Sequence, residues 1–358
     1  MSAGGKFGRA RQRIRAALVS PAQLLVRANE AAERGELAEA LELYDEAITR
    51  CRASSAAGEA SNAGELLPAA LFNKAATLTE LVQPAAAIAT YDELIARCGG
   101  DGDGSAEPGA VGAVGALAAV LNAHYNRAAT LAELDRQDEA LAGYDEVITG
   151  YRRSPLPELR EVATAACLNK AATLVRQGCP AEALPVYNEL IARLGDSGSD
   201  HQIAAAGVSR ATLLTDLGRP AEALIAYAEV IERHGNEPAA RWQVTVARSQ
   251  RAALLAALGR APEALATYDE VIDDNTDDLQ LREEILDARL AKGELLEQLN
   301  RPAEALVTYD EAAASYTRRP DHQLRVLAAQ VLRRKSAVLE QLGRPTEAIA
   351  AHDRADQL

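Results

Sequence analysis

One pattern of small, apolar and polar positions recurs along the whole chain. Its clearest copy is RPAEALIAYAEVI at residues 219–231, and seven variants such as RQDEALAGYDEVI and RAPEALATYDEVI bring the total to eight. Self-similarity of this kind marks a repeat protein, in which each unit buries its apolar face on its neighbours. The pattern therefore predicts one continuous array of similar units.

An aromatic residue gives the register of the repeats. It is tyrosine in seven copies, at intervals of 40 to 53 residues, and His352 takes its place in the eighth. Counted from this residue, position −4 is always alanine and position −16 is always alanine, glycine or serine. Two antiparallel helices approach closely only where both carry small side chains, and the aromatic ring then fills the next layer. The spacing predicts a helix pair in every repeat. The seven repeat tyrosines are Tyr44, Tyr91, Tyr144, Tyr187, Tyr227, Tyr268 and Tyr309.

The turns between the two helices follow from glycine and proline. In the sequence LGRP at residues 217–220, glycine is placed to end the first helix and proline to begin the second. Ser20 followed by Pro21 is typical of a helix start, with serine as the cap. These signals predict short connections within each repeat.

A small residue, twelve positions, an alanine, four positions and an aromatic resemble the tetratricopeptide repeat. NKAATLVRQGCPAEALPVYNELI at residues 169–191 carries this pattern well, and the resemblance covers about residues 20–358. It implies an all-α fold, a right-handed α-solenoid superhelix of about eight antiparallel helix pairs. The chain departs from the family in lacking a tryptophan early in the first helix, and its repeats of 40–43 residues exceed the usual length of about 34.

Three segments fall outside the regular pattern. Residues 1–19 form a basic N-terminal arm, with five basic residues and no acid, and are predicted to be flexible. The arm suits contact with a nucleic acid, a membrane or another acidic partner, or it is a frayed tail lying on the acidic repeat body. Residues 54–65 and the glycine-rich residues 99–115 are predicted to be flexible insertions.

Composition narrows the classes of function. The formal net charge of −14 argues against the repeat body as a general nucleic-acid binder. No run of 18 apolar residues is present and no signal-peptide core precedes the first repeat, so we expect a cytoplasmic protein. Only five of the 38 basic residues are lysines, which together with abundant alanine and glycine suggests a GC-rich, bacterial genome.

The sequence carries no recognisable catalytic chemistry. Its five histidines are scattered, no histidine or cysteine cluster has the spacing of a metal site, and no phosphate-binding or dinucleotide-binding glycine motif occurs. Acidic pairs such as Asp269 and Glu270 recur in most repeats, as surface positions do. We therefore expect no enzyme activity, no catalytic residue, no cofactor and no metal.

The resemblance implies a binding site instead. In the family, the first helices of successive repeats line a concave groove that holds an extended peptide. Asn73, Asn126 and Asn169 occupy position −18, which faces that groove, and asparagine offers both donors and an acceptor to a peptide backbone. Alternatively, these asparagines pair with groups of the array itself. The further residues predicted in the groove are Asn29, Phe72, Asn122, Tyr125, Arg176, Asp216 and Glu294.

Charge in the predicted groove limits the ligand. Glu33, Glu80 and Glu133 should line the same side, which favours a neutral or basic peptide. The family's clamp for the carboxylate of chaperone tails needs basic residues in the third repeat, where this chain has Asn122 and Asn126. Recognition of chaperone tails is therefore not expected.

A second polar pattern runs along the repeats. Position −17 is basic in all eight, and position +2 is acidic in seven. This arrangement predicts either a ladder of ion pairs between the helices or a cationic track for an anionic ligand. Because the acids recur in step with the bases, the sequence favours the ladder.

These features predict a non-catalytic scaffold that binds a peptide or partner protein in the groove. Two alternatives stay open at this point. The chain acts as a regulator whose basic arm contacts nucleic acid or membrane, or it is a structural solenoid that self-associates through its uncapped C-terminal end.

Overall fold

The computed structural model describes residues 19–56, 63–98, 110–194, 200–273, 280–315 and 322–358. Within these ranges the chain is helical and contains no β-strand. The α-helices are α1 (Pro21–Glu33), α2 (Leu37–Ala56), α3 (Ala63–Glu80), α4 (Pro84–Cys98), α5 (Ala110–Glu133), α6 (Gln137–Arg153), α7 (Arg160–Arg176), α8 (Pro180–Leu194), α9 (Asp200–Asp216), α10 (Pro220–His234), α11 (Arg241–Ala257), α12 (Ala261–Asp273), α13 (Arg282–Gln298), α14 (Pro302–Ser315), α15 (His322–Gln341) and α16 (Pro345–Asp356).

The odd-numbered helices are the first helices of the eight repeats, and the even-numbered helices are the second. The predicted α-solenoid of helix pairs is therefore confirmed. Each pair is joined by a tight turn whose residue at position −9 has a positive φ. This residue is glycine in five repeats, as at Gly218, because the left-handed conformation costs a residue with a side chain about 1–2 kcal/mol. Val82 adopts it with a φ of 55° in the second repeat.

The start of the first repeat is capped as predicted. The Ser20 hydroxyl accepts a hydrogen bond from the Gln23 backbone amide at 3.2 Å, and the Gln23 side chain accepts one from the Ser20 amide at 3.1 Å. This reciprocal capping box satisfies two amide groups that the helix leaves without partners.

The chain divides into two compact units, Met1–Val186 and Tyr187–Leu358. In unit 1, second helices pack against both neighbouring first helices, and the first helices α1, α3, α5 and α7 pack side by side. The small residues produce this close contact: a β-carbon added to Gly143 would lie 2.8 Å from that of Ala128. The alanines at positions −16 and −4 are fully buried, and the rings of Tyr44, Tyr91 and Tyr144 fill the layer beside them.

Unit 2 repeats this architecture. Its first helices α9, α11, α13 and α15 again lie side by side, with α10, α12, α14 and α16 packed against them. Gly293 marks the tightest approach, since an added β-carbon would lie 2.3 Å from the Tyr309 ring. In the eighth repeat Ser336 replaces the usual alanine and donates its hydroxyl to the Ala348 carbonyl at 2.8 Å.

The segments predicted as flexible are only partly within the described ranges. Residues 1–18 of the predicted basic arm, 57–62 of the first insertion and 99–109 of the second lie outside them. The remaining parts of both insertions are helical: α2 extends to Ala56, α3 begins at Ala63 and α5 begins at Ala110. The bounds of the two insertions stay predictions.

Candidate protein-binding faces

The asparagines of unit 1 are held by the repeat tyrosines. Asn73 donates its side-chain amide to the Asn29 side-chain oxygen at 2.9 Å, and the Tyr44 hydroxyl donates to the same oxygen at 2.8 Å. Tyr44 belongs to the first repeat and Asn73 to the second. The three groups therefore connect two neighbouring repeats on the side of their first helices.

At the next two junctions the asparagine at position −18 contacts the tyrosine directly, without a bridging residue such as Asn29. Asn126 is hydrogen-bonded to Tyr91 of the preceding repeat, which opposes the increase in the tyrosine pKa caused by burial. Asn169 donates to the Tyr125 hydroxyl at 3.1 Å and is also hydrogen-bonded to Tyr144. Burial raises the Tyr144 pKa to about 12 although Asn169 lowers it. Position −18 thus lies at the tyrosine hydroxyl of the preceding repeat, a contact that we call the hydroxyl contact.

Unit 2 shows how the hydroxyl contact varies. Ser209 is hydrogen-bonded to Tyr187, and the Gln250 side-chain oxygen accepts from the Tyr227 hydroxyl at 2.7 Å. At the next junction position −18 is Ala291, which offers no polar group to Tyr268. Pairing within the array was the alternative that the sequence left open for the asparagines at this position, and polar residues occupy position −18 in six of the eight repeats.

The remaining predicted groove residues have separate environments. Phe72 packs edge-on against Tyr91 and Tyr125 packs against Tyr144, each with ring centroids 6.1 Å apart. Asn122 donates to the Ala118 carbonyl of its own helix at 2.8 Å, which occupies one of its donors.

Three further predicted residues carry charge. In unit 1, Arg176 donates to the Thr173 hydroxyl at 3.1 Å. In unit 2, Asp216 is exposed, and Glu294 forms an ion pair with Arg334 at 2.7 Å. The structure therefore brings Asn29 to Asn73 and Tyr125 to Asn169, and it leaves Asn122 and Arg176 with partners on their own helices.

The predicted ladder of ion pairs exists, but its acid is mostly a different residue. Basic residues at −17 reach the aspartate at position +1 of the preceding repeat instead of the acid at +2. The pairs are Lys74–Asp45, Arg127–Asp92, Lys170–Asp145, Lys292–Asp269 and Lys335–Asp310. Where Asn188 replaces the aspartate, Arg210 pairs with Glu229 at +2 of its own repeat and donates to Asn188 at 3.4 Å.

These ion pairs join neighbouring repeats, as the hydroxyl contacts do. The basic side chains are largely buried, with about a fifth exposed in Lys170 and Arg127, while their aspartates are half exposed. The cations are thus covered by protein and neutralised. They do not form an open cationic track.

A cleft of about 380 Å³ lies in unit 2 against α9 and α10. Ile191 and Ile203 supply apolar surface, and Gly207 lets the Val230 side chain pack close, since an added β-carbon would lie 2.4 Å from it. Its charged lining balances two arginines against two glutamates, with Arg210 paired to Glu229. The cleft therefore favours neither a positively nor a negatively charged ligand.

Within the six described ranges, no three histidine, cysteine or acidic side chains are placed to hold a metal ion together. No helix in this part of the chain is both long and apolar enough to cross a membrane.

Comparison with known proteins finds a similar repeat in part of the chain and similar folds among solved structures. Residues 249–322 match the family model of the tetratricopeptide repeat. The C-terminal part of a tetratricopeptide-repeat protein from Cytophaga hutchinsonii superimposes with a TM-score of 0.54 at 12% identity, over 82% of this chain and 95% of that one. BtubC (BKLC) from P. vanneervenii superimposes with a TM-score of 0.51 at 18% identity, over 63% of this chain and 90% of that one. The comparison with curated proteins gave no match.

The fold defines a repeat protein built of antiparallel helix pairs. Together with the match over residues 249–322, it confirms the resemblance to the tetratricopeptide repeat that was drawn from the sequence. Proteins of this class generally mediate protein–protein interactions. The predicted roles of the basic arm and of self-association through the C-terminal end stay predictions.

Proposed function

We propose that this chain is a non-catalytic scaffold that binds an extended, neutral or basic peptide along the first-helix face of unit 1. The observation that carries the proposal is the set of asparagine side chains fixed at successive junctions by tyrosine hydroxyls. Rigid amides contribute more to affinity than mobile ones, because less side-chain freedom is lost on binding.

The asparagines retain hydrogen-bonding capacity. The Asn169 amide group donates to the Tyr125 hydroxyl, and its side-chain oxygen accepts no hydrogen bond in the described part of unit 1. Asn73 likewise uses its amide group on Asn29. Each of these two oxygens is suited to accept a hydrogen bond from the backbone N–H of an extended peptide.

The small residues beside the asparagines and the acidic residues near them both favour an extended, neutral or basic peptide. One helical turn after each asparagine lies an alanine, Ala76 or Ala129 or Ala172, which leaves room for a peptide backbone close to the helices. Glu33, Glu80 and Glu133 are exposed near the ends of the same first helices. Their negative charge opposes an acidic peptide and attracts a basic one.

The experiment is selection from a library of blocked twelve-residue peptides, followed by titration of an enriched peptide. We expect the double variant Asn126→Ala/Asn169→Ala to bind at least about tenfold more weakly, since two backbone contacts are removed. The matched control is Asn188→Ala, an exposed asparagine on α8 outside this face, which should bind as the wild type does.

Circular dichroism should show that the double variant keeps its helical content, so that lost binding is not lost folding. Equal affinity of wild type and double variant would place the site elsewhere. Enrichment of acidic peptides would contradict the electrostatic part of the proposal.

A further inference from the structure

The junction between the sixth and seventh repeats lacks the hydroxyl contact. Position −18 is Ala291 here, whereas Gln250 occupies it one repeat earlier and receives the Tyr227 hydroxyl. The Tyr268 ring is only 3% exposed, and its hydroxyl has no hydrogen-bond partner among the residues that the structure describes. The Tyr268 hydroxyl thus differs from the Tyr227 hydroxyl, which donates to Gln250 at 2.7 Å.

Three acidic residues follow one face of the helix that carries Ala291. Glu284, Asp287 and Glu294 follow the same face of α13 as Ala291, at spacings of three, four and three residues. Burial and, to a smaller extent, the charges of Asp287 and Glu294 together raise the Tyr268 pKa to about 12. Both carboxylates therefore lie close enough to act on the hydroxyl.

The negative charge at this place is only partly neutralised. Glu294 is paired with Arg334, but neither Glu284 nor Asp287 has an ion-pair partner within the described ranges. Asp287 reaches solvent, yet the surrounding protein removes enough water to raise its pKa, and Glu294 and Glu284 raise it further. A bound cation would relieve this repulsion.

An exposed aromatic ring completes the surroundings. Trp242 on α11 is 51% exposed, and its indole N–H donates to the Glu284 carboxylate of the next repeat. Glu284 lies one helical turn before Asp287. Arginine and lysine side chains bind over an indole face by cation–π attraction, arginine more often.

We propose that Trp242, Tyr268, Asp287 and Glu294 form a binding site in unit 2 for an arginine side chain of a peptide partner. Ala291 is smaller than Gln250, which occupies the same position one repeat earlier. The guanidinium group presents five N–H donors in a planar fork, which suits carboxylate and hydroxyl acceptors and also stacks on an indole. The site rests on the proposed function only in that a peptide is the ligand.

Trp242 is the single tryptophan of the chain, so its fluorescence reports on this site alone. The probe is acetyl-Ala-Arg-Ala-amide, titrated against the full chain at neutral pH. We expect a saturable change in emission, a weaker affinity for the lysine analogue and no saturable change with the glutamine analogue. An equal response to the arginine and glutamine peptides would overturn the proposal.

Two variants test the geometry. Ala291→Asn restores the hydroxyl contact and fills the space, and Asp287→Asn removes a charge; each should weaken binding of the arginine peptide at least about tenfold. Ala291→Asn should unfold at the same urea concentration as the wild type or a higher one. The control Ala266→Asn, an exposed alanine on α12, should bind normally. Undiminished binding by both test variants would refute the site.

The arginine site in unit 2 and the peptide site proposed in unit 1 can be tested independently. Asn126→Ala/Asn169→Ala alters unit 1 only, so its Trp242 response to the arginine peptide should equal that of the wild type. Loss of the response in that double variant would contradict an independent site in unit 2.

Discussion

Two neighbouring junctions of unit 2 each have one of the two polar contacts, the hydroxyl contact or the ion pair, and lack the other. Between the fifth and sixth repeats the Tyr227 hydroxyl reaches Gln250 at 2.7 Å, but Ala228 replaces the aspartate and Arg251 has no ion pair in the described ranges. Between the sixth and seventh repeats Lys292 pairs with Asp269, but the tyrosine hydroxyl has no partner. Unit 1 has both contacts where Asn169 and Lys170 meet the third repeat.

The difference shows that neither polar contact is needed for the repeats to stack. What every junction shares is a buried tyrosine ring and the small residues beside it. The apolar packing therefore sets the geometry, and the hydroxyl contact at position −18 is free to vary. A position that varies without loss of the fold is suited to carry binding specificity.

The largest expected effect is on a feature that both junctions share, the burial of the tyrosines. Burial raises the pKa of Tyr227 and raises that of Tyr268 to about 12, above the ordinary value of about 10. The folded chain holds these protons more tightly than the unfolded chain. The stabilisation that these tyrosines contribute should therefore be fully present below about pH 10. It should be lost as the pH rises from 10 towards 12, by roughly 1.4 kcal/mol for each unit of pKa difference per tyrosine.

Urea denaturation between pH 8 and pH 11.5, followed by circular dichroism, measures this loss. Tyr268→Phe removes one titrating group and should make the decline shallower. A midpoint that does not change up to pH 11.5 would contradict the prediction.

A smaller effect separates the two junctions. Tyr227→Phe removes a hydroxyl that hydrogen-bonds Gln250 and Thr212, so we expect a loss of about 1 kcal/mol in the free energy of unfolding. Tyr268→Phe removes a hydroxyl without a protein partner and should cost much less. Trp242 fluorescence during urea denaturation follows unit 2 for both variants. Equal losses would mean that the Tyr268 hydroxyl has a stabilising contact after all.

The smallest effect concerns the ion pairs. Lys292→Met breaks the pair with Asp269 and should cost roughly 0.2–1 kcal/mol, decreasing with added salt. Arg251→Met should be neutral or stabilising, because the Arg251 Nε atom is buried without a hydrogen-bond partner in the described part. Thermal denaturation at low and high salt compares the two. A larger loss for Arg251→Met would show that Arg251 has an acidic partner in solution.

Much of the fold was predictable because its causes are local. The spacing of alanine, alanine and tyrosine within one repeat requires two close helices, and the turn glycine and proline mark their ends. The candidate site was predictable only as a set of residues. Asn126 and Asn169 were identified by their position, but their tyrosine partners lie in the preceding repeat, which no spacing within one repeat reveals.

The sequence by itself determined that this chain is an array of helix pairs, because each pair is specified by residues fewer than twenty positions apart. Only the tertiary structure decided which acid meets which base, since stacking sets the offset between repeats and brings Lys170 to Asp145 rather than to Glu189. It likewise decided where a tyrosine hydroxyl lacks a partner. Burial and pairing depend on what the neighbouring repeat places opposite each side chain, and that is a property of the stacked array.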